Sequence, residues 1–339
     1  MIFIILIIAI TFGYTVFVGY NDGANAIATS IATRAISYRT ALITAVVSTV
    51  AAPIIFYLIG AELSVADTIG RTVQNSVIAG EKNELAFSFL FSGVLGSLLW
   101  CLFSAKIKLP VSTSHSLLGG ISGAGVAAFG ILPIDWNSII IKIIFTAVAA
   151  PLVGFFVGYA IMKIVKRIAY KVPLSSEGII KKLQTVNIAI LSSAISINNI
   201  QKPLGVMILL FAASESTFAG DNAFLIILFS ALALAFGACL GGTRIIHTVG
   251  KKIFKIKPVH SFLTQISVEA VIFAASSFGI PISAGQAVSS TVMGVGAADR
   301  FGSVNWSNSL KIFIFWVLTY PITFAIGATL YFILKIFFK

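Results

Sequence analysis

Three polar side chains follow a long uncharged stretch at the start of the chain: Asn21, Asp22 and Asn25. The preceding run, MIFIILIIAITFGYTVFV, contains no charged residue, and a carboxylate at membrane depth costs at least about 2.5 kcal/mol on insertion scales. Carboxylate and amide oxygens beside an irregular backbone suit a hard cation such as sodium. We therefore expect a cation site around Asp22 that offsets the cost of its charge.

A second group of polar residues follows two prolines. Residues 108–120 are KLPVSTSHSLLGG and residues 279–291 are GIPISAGQAVSST. Proline suits the first turn of a helix, where free backbone N–H groups and the helix dipole favour an anion. His115 has two open roles, as a structural hydrogen-bonding group or as a proton carrier. The residues predicted to bind an anion at these helix starts are Ser112, Thr113, Ser114, Ser283 and Gln286.

The elements that must carry these residues are membrane helices. The 339 residues are 58% hydrophobic and only 10% charged, whereas soluble domains are about a quarter charged. Apolar runs long enough for spanning helices of about 20 residues alternate with short polar breaks. The sequence therefore predicts an all-α polytopic membrane protein. The basic residues behind its net charge of +12 gather in a few loops. This is typical of cytoplasmic loops that face anionic lipid, and does not indicate nucleic-acid binding.

The motifs occur twice in the same order. A shift of 177 residues aligns Asn21 with Asn198, a shift of 171 aligns the two proline-containing segments, and a shift of 170 aligns Trp136 with Trp306. Such ordered matches predict a duplicated half. We therefore divide the chain into a first membrane repeat, a basic cytoplasmic linker and a second membrane repeat, at residues 1–165, 166–183 and 184–339.

Loop charges predict how the halves are oriented. Basic residues gather at 163–182 and 244–260, which places these loops in the cytoplasm, whereas 61–84 and 214–222 are expected outside. Each half holds five crossings, an odd number, so the second half runs opposite to the first as an inverted repeat. Both termini then lie outside a cell membrane. The expected crossings are 1–33, 39–60, 85–104, 110–130, 138–163, 184–213, 223–243, 262–279, 281–299 and 309–335. The sequence leaves open whether 110–130 and 281–299 span or re-enter.

Interrupted helices in matching positions of an inverted repeat are typical of secondary transporters, with the substrate near the membrane midplane. The segments GYNDGANA at 19–26 and SINNIQKPLG at 196–205 form one such pair, and the two proline-containing segments form another. Lys202 is the only lysine in the first pair of segments, 19–26 and 196–205. It could extend toward the membrane surface or screen the anion.

These motifs resemble those of the inorganic phosphate transporter (PiT) family, phosphate permeases that often use sodium or protons. GYNDGANA is similar to that family's GANDVANA signature, and LPVSTSH to its Pro-Val-Ser-Thr-Thr-His element. The resemblance covers both halves. It implies a symporter of inorganic phosphate with sodium or a proton, working by alternating access at the repeat interface. It also implies that Asn21 and Asn198 contact the anion, and that Asp22, Asn25 and Asn199 bind the cation, as metal ligands if that cation is sodium.

The second copy departs from the family pattern. Asn199 stands where that copy usually has Asp, and residues 284–286 replace Thr-Thr-His. The family also includes sulfate permeases, so a sulfate permease is an alternative. Phosphate carries at least one O–H at neutral pH and needs an acceptor that sulfate does not need. Asp22 and neutral His115 could supply that acceptor, and the sequence favours phosphate.

Other functional classes fit the sequence less well. GKKI at 250–253 lacks the Ser/Thr and glycine spacing of a phosphate-binding loop, and no metal-ligand spacing supports a membrane enzyme. A membrane-embedded anion channel is the remaining alternative, and it would need a continuous polar pore. We expect no cofactor besides the transported sodium ion or proton. The expected partners are phosphate or sulfate and membrane lipid, without nucleic acid, and a homodimer is left open.

Overall fold

The computed structural model describes residues 2–74, 77–78, 83–107, 110–141, 146–168, 177–214, 222–241 and 253–337. Its α-helices, numbered in chain order, are α1 Ile2–Val18, α2 Ala24–Ala32, α3 Tyr38–Leu58, α4 Ser64–Gly70, α5 Asn83–Lys106, α6 Thr113–Phe129, α7 Trp136–Ile139, α8 Thr146–Ile168, α9 Glu177–Ala213, α10 Ala223–Leu240, α11 Pro258–Ser277, α12 Ala284–Arg300 and α13 Trp306–Phe337. A π-helical turn, Gly19–Gly23, joins α1 to α2, and a 3-10 turn, Phe301–Ser303, follows α12. Within the described ranges the β structure is limited to one bridge between Val73 and Ile134. The centre of the predicted linker, residues 169–176, lies outside the described residues.

Eight helices in the described part are long and apolar enough to cross a membrane. They match eight of the ten predicted crossings, which confirms the all-α polytopic class. These candidate spans are Phe3–Ala32, Tyr38–Leu58, Glu84–Lys106, Thr146–Ile168, Lys182–Ala213, Ala223–Leu240, Pro258–Ser277 and Trp306–Ile336.

The other two expected crossings correspond to α6 and α12. Each has 17 residues, or about 25 Å of helix, against a hydrocarbon core of about 30 Å. Most of their residues are buried against other helices. Ser112 and Ser283, which precede the two helices, are each 0% exposed, so both helices start in the protein interior.

Serine side chains begin these two helices. Ser112 Oγ accepts a hydrogen bond from His115 N at 3.3 Å, and Ser283 Oγ accepts one from Gln286 N at 3.4 Å. Both are N-caps, the position that serine favours. The expectation that proline lies in the first turn was wrong, because Pro110 and its counterpart at 281 stand two residues before each cap.

The central helix of each half packs against the last helix of the other half. α6 lies on α13, and α12 lies on α8. Glycines allow this close approach, because a Cβ at Gly123 would collide with the Phe324 carbonyl, and one at Gly294 with the Phe155 carbonyl. The two helix pairs therefore interlock the halves around the centre of the molecule.

Local contacts recur at the offset that the duplication predicts. Trp136 Nε1 donates to the carbonyl of Ile131 at 2.8 Å, and Trp306 Nε1 donates to that of Phe301 at 3.2 Å. Each bond reaches back five residues. This recurrence supports the duplication, whereas the inverted orientation of the halves and their exact bounds stay predictions.

The buried apolar residues form two large cores. One core includes Phe89, Leu117 and Leu210, and the other includes Val268 and Trp316. α9 passes through both, with 188–195 in the second core and 200–211 in the first. Asn198 and Asn199 lie between these two stretches, where α9 passes from one core to the other.

Candidate functional site

The first site segment is a π-helical turn. Gly19–Gly23 continues α1 into α2 with a locally widened helix, a feature often found at functional sites. It packs tightly on α10, since a Cβ on Gly19 would meet the Leu234 backbone and one on Gly23 the Ala238 side chain. This contact holds Asp22 inside the protein, where it is 0% exposed.

The predicted interruption at 196–205 is absent. α9 runs unbroken from Glu177 to Ala213 with Pro203 inside it, which corrects the expectation for this segment. Pro203 has no N–H to donate to the carbonyl of Asn199, four residues earlier. Tertiary packing keeps the helix intact, and the proline frees a backbone acceptor beside Asn199.

Three side chains donate hydrogen bonds to the Asp22 carboxylate. Asn21 Nδ2 lies 2.8 Å from Oδ1, while Asn199 Nδ2 and Thr113 Oγ1 lie 3.0 and 3.3 Å from Oδ2. These partners come from the π turn, α9 and the start of α6. The cost of burying the carboxylate is thus offset by donors from both halves of the chain.

Lys202 completes this cluster. Its side chain is 0% exposed, so it does not extend to the membrane surface. Its Nζ donates to Asn199 Oδ1 at 2.7 Å and to Thr113 Oγ1 at 2.8 Å, and lies 3.7 Å from Asp22 Oδ2. The pair cancels charge inside the membrane, which is the usual condition for ionised groups there.

The starts of α6 and α12 meet next to this cluster. Ser114 Oγ donates to the Ile282 carbonyl at 3.1 Å. A Cβ on Gly285 would lie 3.3 Å from Asn25 Nδ2 and 4.0 Å from the Val111 carbonyl. Two helix N-termini therefore converge around Asn25, and their N–H groups and dipoles favour an anion between them.

Two buried side chains near these starts have unused hydrogen-bonding atoms. Gln286 is 1% exposed and neither its Oε1 nor its Nε2 has a partner among the described residues. His115 is 2% exposed and its Nδ1 likewise has none there. Buried polar atoms are normally paired, so this arrangement suits a ligand or water.

The structure does not gather every predicted site residue. Asn198 Nδ2 donates to Ser276 Oγ on α11 at 2.9 Å, away from Asp22. Adjacent residues on a helix differ by about 100° in direction, which explains why Asn199 faces the cluster and Asn198 does not. Asn25 Nδ2 donates to the Asn21 carbonyl at 3.1 Å. The ligand roles of all these residues stay predictions.

Sequence reasoning missed two residues. Tyr14 donates its hydroxyl to the Thr113 carbonyl at 2.5 Å and so positions the start of α6. Glu269 is 8% exposed, with no partner for Oε1 among the described residues. Glu269 is the single acid within 258–277, a signal that marks functional sites in membrane segments. For Tyr14 the sequence offers no comparable signal.

The cluster is closed in this conformation. Asp22, Thr113 and Lys202 are each 0% exposed, and none of them lines the cavity of about 740 Å³ beside Arg71 and Trp136. The described residues contain no group of three or more His, Cys, Asp or Glu that could hold a metal ion. The cluster is therefore shut off from solvent in this conformation.

Comparisons with known proteins give sequence matches over nearly the whole chain. Residues 18–327 match the sequence model described as "Phosphate transporter family". A Bacillus subtilis protein named "Probable low-affinity inorganic phosphate transporter" is 32% identical over 100% of this chain and 99% of its own. A Rhizobium meliloti protein of the same name is 30% identical, with 96% of this chain and 95% of its own covered.

A solved structure shares the fold. The protein titled "The sodium-dependent phosphate transporter" superposes with a TM-score of 0.77 over 99% of this chain and 100% of its own, at 22% sequence identity. At that identity the likeness concerns the fold alone.

Proposed function

We propose that this chain, which belongs to the phosphate transporter family, moves its substrate by alternating access and couples transport to a cation gradient. Phosphate is the substrate transported by the family, and its members are integral membrane transporters and not enzymes. The observation that carries the proposal is the meeting of the α6 and α12 starts beside a closed Asp22–Lys202 cluster.

The anion is held between the two helix starts. Ser112 and Ser283 each use an oxygen lone pair to cap their own helix, and each keeps its hydroxyl proton for a ligand. The remaining N–H groups of both first turns point outward along the helix axes. Gly285 adds no side chain, so an anion can approach its backbone closely.

Selection of phosphate over sulfate requires an acceptor for the phosphate O–H. Gln286 Oε1 and His115 Nδ1 are buried acceptors without a protein partner in the described part of the chain. A site with such acceptors leaves them unpaired when sulfate binds, which costs binding free energy. This supports phosphate as the preferred anion.

The closed cluster supports alternating access and argues against a channel. Because Asp22 and Thr113 are fully buried, no open pore reaches them in this conformation, and two alternating openings would give access from either side. The coupled cation is sodium or a proton, with His115 as the proposed proton carrier. We further propose a location in the cell membrane with both termini outside, while the homodimer stays a prediction.

Uptake into proteoliposomes tests this proposal. Labelled phosphate and labelled sulfate are offered while sodium and proton gradients are imposed separately. We expect phosphate to accumulate above its external concentration under at least one gradient, with weak competition by sulfate. Equilibration without accumulation would favour the channel, and displacement of phosphate by equal sulfate near pH 7 would favour a sulfate permease.

A further inference from the structure

Lys202 is fully buried and contacts the predicted cation site. The oxygens around its Nζ are Asn199 Oδ1 at 2.7 Å, Thr113 Oγ1 at 2.8 Å and Asp22 Oδ2 at 3.7 Å. An amide carbonyl, a hydroxyl and a carboxylate are also oxygen ligands that a sodium ion uses. The ammonium therefore stands where a free cation beside Asp22 would be coordinated.

We infer that Lys202 is a built-in cation that replaces sodium at Asp22. This inference rests on the proposed function and narrows its coupling ion. A sodium ion at the same oxygens would lie next to an ammonium in a low-dielectric interior, where like charges repel strongly. The oxygens are engaged already, so the residues expected to bind sodium do not form a sodium site in this chain.

The duplication shows the origin of this substitution. The shift of 177 residues that pairs Asn21 with Asn198 also pairs Asn25 with Lys202. In the first half, Asn25 Nδ2 donates to the Asn21 carbonyl. In the second half, the corresponding side chain is charged and reaches Asn199 and Thr113. One copy thus supplies the carboxylate and the other supplies its counter-ion.

The position of Lys202 on α9 makes the replacement durable. Asn199 and Lys202 are three residues apart, so both face the cluster from the same side of the helix. The ammonium has three N–H donors, and two of them have partners in Asn199 and Thr113. Releasing the ammonium would leave Asp22 buried without a counter-ion. Phosphate transport is therefore independent of sodium when pH and membrane potential are fixed.

Thermal unfolding in detergent, without phosphate, tests site occupancy directly. NaCl is compared with choline chloride at equal ionic strength. The wild-type protein should unfold at the same temperature in both salts. Lys202→Met keeps the side-chain stem and removes the ammonium. Millimolar sodium should therefore raise the unfolding temperature of this variant. The double variant Asp22→Asn/Lys202→Met should lose that response.

Lys166→Met is the matched control. Lys166 pairs with Asp299 at 2.8 Å, but its side chain is 43% exposed, far from a closed site. Its variant should show no sodium-specific shift. If Lys202→Met fails to fold, the wild-type comparison and Lys202→Arg, which keeps the charge, still decide. A sodium-specific shift in the wild-type protein or in Lys202→Arg would overturn the inference.

An uptake experiment distinguishes failure of this inference from failure of the proposed function. Proteoliposomes are held at equal pH on both sides, with the membrane potential clamped by valinomycin and potassium. Replacing external sodium by choline should leave wild-type phosphate uptake within about twofold, and should reduce uptake by a folded Lys202→Met variant. Sodium-driven accumulation by the wild-type protein would refute the inference alone. Absence of phosphate uptake under every gradient would refute the proposed function. The unfolding data would still show whether Lys202 takes the place of sodium at Asp22.

Discussion

The two copies of the first motif occupy one cluster with different chemistry. The π turn contributes Asp22, whereas α9 contributes Asn199 at the corresponding position and Lys202 three residues later. Asn199 donates to Asp22 and accepts from Lys202, so it connects the acid of one half to the base of the other. The two copies of this motif are therefore complementary, since each supplies the charge that the other needs.

The two copies of the second motif also differ in their side chains. α6 begins with Thr113, Ser114 and His115, whereas α12 begins with Ala284, Gly285 and Gln286. Both helices keep the serine cap, a residue that helix starts favour. Side chains beyond the cap have diverged, so the first copy carries most of the hydroxyls and the second leaves backbone open.

Removing the acid should break the complementarity most severely. Asp22→Asn leaves the Lys202 ammonium buried without its counter-ion, which typically destabilises a protein by about 3–5 kcal/mol. We expect phosphate accumulation to stop, and unfolding to occur at lower denaturant concentration. The double variant Asp22→Asn/Lys202→Met should recover much of the stability. If Asp22→Asn accumulated phosphate with unchanged gradient dependence, Asp22 would have no role in transport.

Removing hydroxyls from the first copy should have the next largest effect. Ser112→Ala deletes a hydroxyl whose proton is left for phosphate. Thr113→Val deletes the bonds to Asp22 and Lys202, so it acts on phosphate through this cluster, because the single hydroxyl proton of Thr113 is donated to Asp22. A lost hydrogen bond to a charged group costs about 1.5–3 kcal/mol, so phosphate affinity should fall roughly ten- to a hundredfold. Equilibrium binding of labelled phosphate measures this loss. Wild-type affinity in both variants would exclude these hydroxyls from the anion site.

The two tryptophans offer a sharper test of the duplication. Trp136→Phe and Trp306→Phe each delete one hydrogen bond to a carbonyl five residues earlier. Each change should lower the free energy of unfolding by about 0.5–1 kcal/mol, and the two values should agree within a few tenths. Denaturant titration in detergent measures both. A large effect at one site alone would show that the copies are not equivalent there.

Exchanging the diverged residues should produce the smallest change. His115→Gln gives the first copy the side chain that Gln286 provides in the second, and keeps an acceptor. Phosphate affinity near pH 7 should change about threefold or less, which is under about 1 kcal/mol. If His115 carries the proton, the pH dependence of uptake will flatten in this variant. A pH profile identical to wild type would remove His115 from proton coupling.

Some features followed from local chemistry alone. The membrane class rests on apolar runs whose length matches a bilayer, and eight of the predicted crossings appear as candidate spans. Helix starts near 112 and 283 were predicted from proline and hydroxyl residues within a few positions of each other. The family was recognised from four short motifs in order. All of these depend on neighbours along the chain.

The interruption predicted at 196–205, which the structure lacks, shows where local chemistry was insufficient. Pro203 disfavours a helix interior by removing one hydrogen bond and crowding the preceding turn. Packing of α9 against α3, α4 and α11 outweighs this preference, so the helix continues. Tertiary contacts can override propensity because burial of a long apolar helix contributes more free energy than one lost bond.

The sequence by itself determined which residues could take part, because hydropathy, caps and repeated motifs are local properties. Only the tertiary structure decided which of them meet. Asp22 reaches Thr113 and Asn199 across 91 and 177 residues, and the rotation of α9 turns Asn199 and Lys202 inward but Asn198 toward Ser276. A rotation of about 100° per residue separates these outcomes. Helix rotation is set by packing against distant segments, so the pairing of Lys202 with Asp22 could not be read from either motif alone.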